Sequence, residues 1–153
     1  MNSLTINHTG EVLELNSIHL SQANKLELQQ LLKEFKYIKT LEEYKLPVAN
    51  KLLLFGHTGC GKTTTARAIA KKLNKKIVTL NLGVIIDSRL GQSAKNITEV
   101  FTKANRGNSV LFLDEFDSIG KTRNDEAKDS GEIKRLVNTV IQLIDQLPND
   151  TLL

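Results

Sequence analysis

Apolar side chains recur every three or four residues in four stretches of the chain, and this spacing predicts four amphipathic helices. The first stretch, residues 21–38, begins at Ser21, a favourable N-cap residue. The second follows Thr63, the third stops near Gly107, and the fourth ends before Pro148. The apolar positions are Leu28, Leu31, Leu32, Phe35 and Ile38; Ala66, Ile69, Ala70 and Leu73; Ile97, Val100, Phe101 and Ala104; and Ile133, Leu136, Val137, Val140, Ile144 and Leu147.

Short apolar runs between these helices predict three strands, at 52–55, 77–82 and 110–113. The polar stretch 117–131 predicts a loop. Strands that alternate with helices favour βαβ units. We therefore expect an α/β fold with three layers, in which helices cover both faces of a parallel sheet.

Composition narrows the class of protein. With 153 residues, 40% hydrophobic and 25% charged, the chain resembles one ordinary globular domain. Its longest apolar runs span four to six residues, too few for a membrane segment. The first fifteen residues lack the apolar stretch of a secretory signal, and the single cysteine, Cys60, cannot form an internal disulfide. We expect a cytoplasmic protein.

The net charge of +4 is modest, and its densest cluster is formed by lysines at 71, 72, 75 and 76. A solvated helix C-terminus explains such a cluster through the helix dipole. A nucleic-acid patch is the alternative, although the cluster itself contains neither Phe nor Tyr to stack on bases.

Candidate chemistry begins at Gly56–Thr63, which matches the phosphate-loop pattern G-x-x-x-x-G-K-[ST] between a predicted strand and a predicted helix. Glycines let backbone N–H groups curl around a phosphate, and the positive end of the helix adds its dipole. Lys62 is expected to reach the β- and γ-phosphates, and Thr63 to bind Mg²⁺. The predicted ATP-binding residues are Gly56, Thr58, Gly59, Cys60, Gly61, Lys62, Thr63, Thr64 and Asp114.

An acidic pair, Asp114 and Glu115, closes the third predicted strand. Asp114 is expected to hold Mg²⁺ through water, opposite Thr63. Glu115 can point beyond the γ-phosphate, where a carboxylate orients and deprotonates an attacking water. Glu115 and Lys62 are the predicted catalytic residues, and ATP and Mg²⁺ the predicted ligands.

Two other classes of phosphate-loop protein fit less well. Residues 117–120 match the D-x-x-G string of GTPases, but the chain has no [NT]-K-x-D guanine-binding motif. A small-molecule kinase would not need a water-activating glutamate after the metal-binding aspartate.

From Pro47 to Leu153 the chain resembles the AAA-type ATPases, through residues 51–70, 88–101 and 111–123. The last string is similar to the D-E-[hydrophobic]-D signature, ending in arginine, that separates this family from other phosphate-loop proteins. The resemblance implies a homo-oligomeric ring, commonly a hexamer, that couples ATP hydrolysis to remodelling of a macromolecule. It also implies an N-terminal extension at 1–46 before the ATPase core, and places Arg123 towards a neighbouring subunit.

Two departures bear on the substrate and the loop. His57 and Thr58 replace the family's two prolines, which leaves the loop less stiff. At the pore-loop position, Arg89-Leu90-Gly91, an arginine replaces the aromatic residue with which relatives grip a polypeptide. The substrate stays open, and we expect a protein rather than a nucleic acid.

The resemblance also implies a fourth strand that begins after residues 149–153, in the sheet order 5-1-4-3-2. The phosphate-loop strand would then lack both neighbours, and each unpaired buried group costs about 1–3 kcal/mol. We therefore expect an incomplete core. The alternatives are a fragment that binds nucleotide without turnover and a nucleic-acid-dependent ATPase.

Overall fold

Two parallel strands lie at the centre of the fold, in a computed structural model that describes residues 12–87, 93–106, 108–121 and 130–153. Strand β1 (Lys76–Asn81) pairs with strand β2 (Ser109–Asp114). The register runs from Lys76 opposite Ser109 to Asn81 opposite Asp114, so the two strands end together. Both strands were predicted, and each of their ends lies within one residue of the predicted position.

Seven helices surround the strands in the described ranges, after a single 3₁₀ turn at Leu15–Ser17. They are α1 (Gln22–Lys36), α2 (Ile38–Glu43), α3 (Lys62–Lys72), α4 (Leu82–Asp87), α5 (Ser93–Arg106), α6 (Ser118–Lys121) and α7 (Ser130–Asp145). None of the helices in this described part combines the length and apolar character needed to cross a membrane.

The two faces of the strands are buried against different helices, because successive strand residues point to opposite faces. Leu80 and Leu111 belong to a core cluster with residues of α4, α5 and α7. Val110, the neighbour of Leu111, packs instead with α1 and α3. Helices therefore cover both faces of a parallel pair, which confirms the predicted α/β architecture.

The N-terminal helix begins where the sequence predicts. The Ser21 hydroxyl accepts a hydrogen bond from the Asn24 N–H (3.2 Å), which caps α1. Leu28, Leu31 and Phe35 form its buried face. The helix ends at Lys36 rather than 38, since Tyr37 leaves the helical conformation (φ −109°, ψ 21°) before α2 starts.

The predicted strand at 52–55 is wrong for this structure. Residues 51–56 form no regular element, and Leu53 and Phe55 are 72% and 87% exposed. A strand needs a neighbour to bond with. Within the described part of the chain, no other segment offers main-chain hydrogen bonds to residues 53–55.

At Leu52, however, a neighbour is present, so the expectation of no ladder partner is wrong at Leu52 and holds, within the described residues, for 53–55. The Leu52 N–H donates to the Leu153 carbonyl (2.8 Å), and the Leu153 N–H donates to the Asn50 carbonyl (2.9 Å). On its other side, Leu152 bridges Val110 in parallel, and its carbonyl accepts from the Leu111 N–H (2.8 Å). Residues 152–153 thus lie between the lead-in to the phosphate loop and β2, where the fourth strand was expected.

Asn50 ties the same two segments together through its side chain. Its amide Nδ2 donates to the carbonyls of Pro148 (3.0 Å) and Thr151 (3.3 Å), and the residue is 5% exposed. The position of the loop's lead-in therefore depends on a buried polar contact.

Three short helices were not predicted, and the first of them, α2, follows the end of α1. Helix α4 starts at Leu82, which the periodicity assigned to the preceding strand, and Leu82 and Ile85 are fully buried. Helix α6 occupies the start of the predicted loop 117–131, with Ile119 buried against the core. Residues 122–129 of that predicted loop lie outside the described ranges.

Replacing Asn50 by alanine should lower the free energy of unfolding by about 1–3 kcal/mol, because two carbonyls lose their buried donor. Denaturant unfolding of the full-length protein measures the loss.

The matched control is Asn149→Ala in the same turn, where the exposed amide donates to the Glu42 carboxylate (3.1 Å). There we expect a change within about 0.5 kcal/mol. Equal losses in the two variants would contradict the role given to Asn50.

Candidate functional site

The phosphate loop turns sharply between residue 56 and the start of α3. Gly59 (φ 82°) and Gly61 (φ 91°) both have left-handed backbone conformations, which side chains disfavour. Gly61 is the N-cap of α3, whose first residue is Lys62. The loop thus delivers its backbone N–H groups and the positive end of a helix to one place.

Lys62 bends back over this loop. Its ammonium donates to the carbonyls of Gly56 (2.9 Å) and His57 (3.0 Å). Cys60 Sγ lies 3.9 Å from the same nitrogen and is a weak acceptor for the third N–H, which a stronger acceptor can replace. A positive charge is therefore held directly above the loop.

The base of the loop is fixed to α3. The Gly61 carbonyl accepts from the Thr65 N–H (2.8 Å) and from the Thr65 hydroxyl (2.9 Å). Next to it the Cys60 side chain packs on Gly56, where an added Cβ would lie 2.7 Å from Sγ. Cys60 is thus turned towards the loop's own first residue, although it is exposed to solvent.

The acidic pair lies where β2 ends at Asp114 and the chain enters a tight turn at Glu115. Glu115 has a left-handed backbone (φ 56°), uncommon for a residue with a side chain. Its N–H donates to Asp114 Oδ1 (3.0 Å), and its carbonyl accepts from the Ser118 N–H (2.9 Å). Such strain is often found at functional sites.

One cavity of about 730 Å³ joins the loop to the acidic pair. Of the predicted site residues, only Cys60 among those described does not line it. The predicted residues that do so are Gly56, Thr58, Gly59, Gly61, Lys62, Thr63, Thr64, Asp114 and Glu115.

The donor set suits magnesium. Thr63 supplies a hydroxyl and Asp114 a carboxylate to the same cavity, and both are half-buried. Oxygen donors of this kind, with room left for waters and phosphate oxygens, are what Mg²⁺ prefers.

Sequence reasoning missed two residues beside the site, Asn81 and Gly83. Asn81 stands opposite Asp114 in the strand register, and an atom added at Gly83 would meet the Glu115 carboxylate. The signal was available for Asn81, because parallel strands predicted at 77–82 and 110–113 must end side by side.

The predicted basic cluster is partly engaged within the protein. Lys71 forms an ion pair with Glu14 (2.7 Å) and donates to the Val12 carbonyl, and its hydrogen bond holds the pKa of Glu14 below its usual value. The Lys75 ammonium lies 5.3 Å from the centre of the Phe35 ring, and burial lowers its pKa. These contacts favour the structural explanation of the cluster, and the buried Phe35 offers no free ring to a base.

A family model described as "ATPase family associated with various cellular activities (AAA)" matches residues 52–153, two thirds of the chain. The chain belongs to the AAA family of ATPases. This confirms the resemblance and, with it, the phosphate-loop fold class.

Relatives of known name come from several branches of the AAA family. An uncharacterized AAA family ATPase of Sinorhizobium fredii is 38% identical over 132 residues, which cover 86% of this chain and 40% of the relative. A 26S proteasome regulatory subunit 8 homolog of Schizosaccharomyces pombe is 31% identical over 113 residues, 73% of this chain and 28% of the relative. The peroxisomal ATPase PEX1 of Dictyostelium discoideum is 34% identical over 111 residues, 72% of this chain and 9% of the relative. The chain thus spans less than half the length of each of these relatives.

Four predicted residues of the AAA resemblance lie outside the described ranges: Arg89, Leu90 and Gly91 of the pore-loop position, and Arg123.

Replacing Lys62 by alanine should weaken ATP binding about 10- to 150-fold, since hydrogen bonds to a charged group contribute about 1.5–3 kcal/mol. Titration of the full-length protein with a fluorescent ATP analogue measures the dissociation constant.

The control is Lys72→Ala, which removes an exposed lysine from the last turn of the same helix. Its affinity should match that of the wild type. Unchanged affinity in Lys62→Ala would remove Lys62 from the site.

Proposed function

We propose that the chain binds Mg·ATP in the cavity between the phosphate loop and Asp114–Glu115, and that it hydrolyses the γ-phosphate. One observation carries this proposal: two motifs that are far apart in the sequence line the same cavity. A glycine turn and an acidic strand end that had no shared function would not need to lie side by side.

Binding is assigned to the loop side of the cavity. The backbone N–H groups around Gly59 and Gly61 and the Lys62 ammonium receive the β- and γ-phosphates. The ammonium then exchanges carbonyl acceptors of its own loop for phosphate oxygens, which are stronger, charged acceptors.

Thr63 and Asp114 would hold the magnesium ion, Asp114 through water. When bound, Mg²⁺ neutralises the negative charge that builds up on the phosphate oxygens. Both side chains are anchored by regular structure, Thr63 in the first turn of α3 and Asp114 at the end of β2.

Glu115 is assigned the activation of the attacking water molecule. Its carboxylate orients a water molecule for in-line attack on the γ-phosphorus and accepts its proton, while the bond from that phosphorus to the bridging oxygen breaks. The products are ADP and phosphate. The left-handed turn at Glu115 comes directly after Asp114, the proposed metal-binding residue, and both residues line the same cavity.

At the level of the whole protein, we propose a homo-oligomeric ring that remodels a macromolecule, a protein rather than a nucleic acid. The name of one relative, a 26S proteasome regulatory subunit homolog, supports protein as the substrate. In this proposal residues 1–46 extend the core, Arg89-Leu90-Gly91 belong to the pore, and Arg123 lies towards the next subunit.

The main competing function is nucleotide binding without turnover, and Glu115→Gln separates the two. In the full-length protein this change should lower phosphate release about 10²- to 10⁴-fold, because a general base is lost, while ATP binding persists.

Glu99→Gln, which neutralises an exposed carboxylate on α5, is the control and should hydrolyse ATP at the wild-type rate. If the wild type releases no phosphate, or Glu115→Gln releases it at the same rate, hydrolysis at this site is excluded.

The proposed ring is tested by varying the protein concentration. If Arg123 acts on a neighbour's nucleotide, turnover per chain should rise with protein concentration as light scattering reports assembly. Arg123→Ala should then assemble but turn over about 10³- to 10⁵-fold more slowly, the range known for such arginines. A constant turnover per chain across the assembly transition would contradict action between subunits.

A further inference from the structure

We propose that Gly83 is a positioning residue for Glu115: the absence of a side chain at 83 leaves the space in which the Glu115 carboxylate lies. The inference rests on the proposed hydrolytic role of Glu115. Gly83 itself carries no chemistry and does not line the cavity.

The space at Gly83 is filled by Glu115 and closed by Asn81. A Cβ built on Gly83 would overlap Glu115 Oε2 and lie 3.2 Å from Glu115 Cδ and 3.3 Å from Asn81 Oδ1. The carboxylate therefore rests against the backbone of Gly83, at a distance that no other amino acid would permit.

The Asn81 side of this space is fixed. Asn81 Oδ1 accepts a hydrogen bond from the Val84 N–H (3.0 Å), which holds the first turn of α4 to the end of β1. Leu82 and Ile85, on either side of Gly83, are fully buried in the core. Neither Asn81 nor the helix can therefore move away to relieve the clash of a methyl group at position 83.

On the opposite side of this space, the backbone of Glu115 is held in place, whereas the end of its side chain can move. Hydrogen bonds to Asp114 Oδ1 and from the Ser118 N–H hold the turn, whereas the Glu115 side chain is exposed. An added methyl must therefore displace the carboxylate. Because the moving group is the end of a flexible side chain, and alanine is a better helix former than glycine, folding should not suffer.

A displaced carboxylate should impair turnover selectively. A shift of about 1 Å in a catalytic group can reduce the rate about 100-fold. ATP is bound by the phosphate loop on the other side of the cavity, so the affinity of the protein for ATP should not change. The expected signature is a lower kcat with an unchanged KM.

The experiment compares Gly83→Ala with Gly131→Ala in the full-length protein. Both glycines are the second residue of a helix, but no atom of the described residues lies within 4 Å of a Cβ at 131. Steady-state ATP hydrolysis, titration with a fluorescent ATP analogue and thermal melting are measured for each. Gly83→Ala should lower kcat about 100-fold with wild-type ATP affinity, and Gly131→Ala should retain the wild-type kcat.

A double variant shows whether the loss acts through Glu115. Adding Gly83→Ala to Glu115→Gln should reduce turnover no further, because the group that it displaces no longer accepts the proton. A further loss of similar size in that background would overturn the inference.

If Gly83→Ala melts at a lower temperature, the drop in melting temperature should become smaller in a Glu115→Ala background, where the carboxylate that overlaps the methyl is gone and only the 3.3 Å approach to Asn81 Oδ1 remains. An undiminished drop there contradicts the proposed contact. A wild-type kcat in Gly83→Ala, while Glu115→Gln is inactive, overturns the role of Gly83 alone. Full turnover in Glu115→Gln overturns the proposed function itself.

Discussion

The candidate site depends on the parallel pairing of β1 with β2. Their register ends with Asn81 opposite Asp114, so both strands end at the same edge of the sheet. The chain continues from β1 into α4 at Leu82, and from β2 into a turn at Glu115. A slip of one residue would exchange the faces of every side chain on one strand. Since Val110 and Leu111 are buried against different helices, such a slip would expose the core on both sides. The hydrophobic packing of the strands thus fixes the position of the acidic pair.

The opposite wall of the site is held in another way. The phosphate loop does not continue from a strand, because residues 53–55 lack main-chain neighbours within the described part of the chain. Its support comes from α3, whose Ile69 and Ala70 are buried against α1 and Val110, and from the contacts of Asn50 with the turn before Leu152. The two walls therefore rely on partly different interactions, although both are packed against β2.

Local periodicity predicted the longer elements well, because their buried faces repeat along the sequence. The start of α1 at Ser21 and the extents of β1 and β2 are examples. The failures concern features that depend on other parts of the chain. Residues 52–55 are apolar enough for a strand, but a strand also needs a partner, which the run itself does not encode. At Leu82 an apolar residue continues the pattern of β1 yet starts a helix, and α6 is too short to show a helical period.

The same distinction applies to the site. The phosphate loop and the acidic pair could be predicted, because their side chains carry recognisable chemistry, and the structure brings both to one cavity. Gly83 could not be predicted, since its importance lies in the atoms it lacks and in a neighbour from a distant turn. The contact exists only because the strands share a register and Glu115 adopts a left-handed backbone. A site's reactive groups can thus be read from sequence motifs, whereas the space that orients them follows from the packing of residues without chemistry of their own.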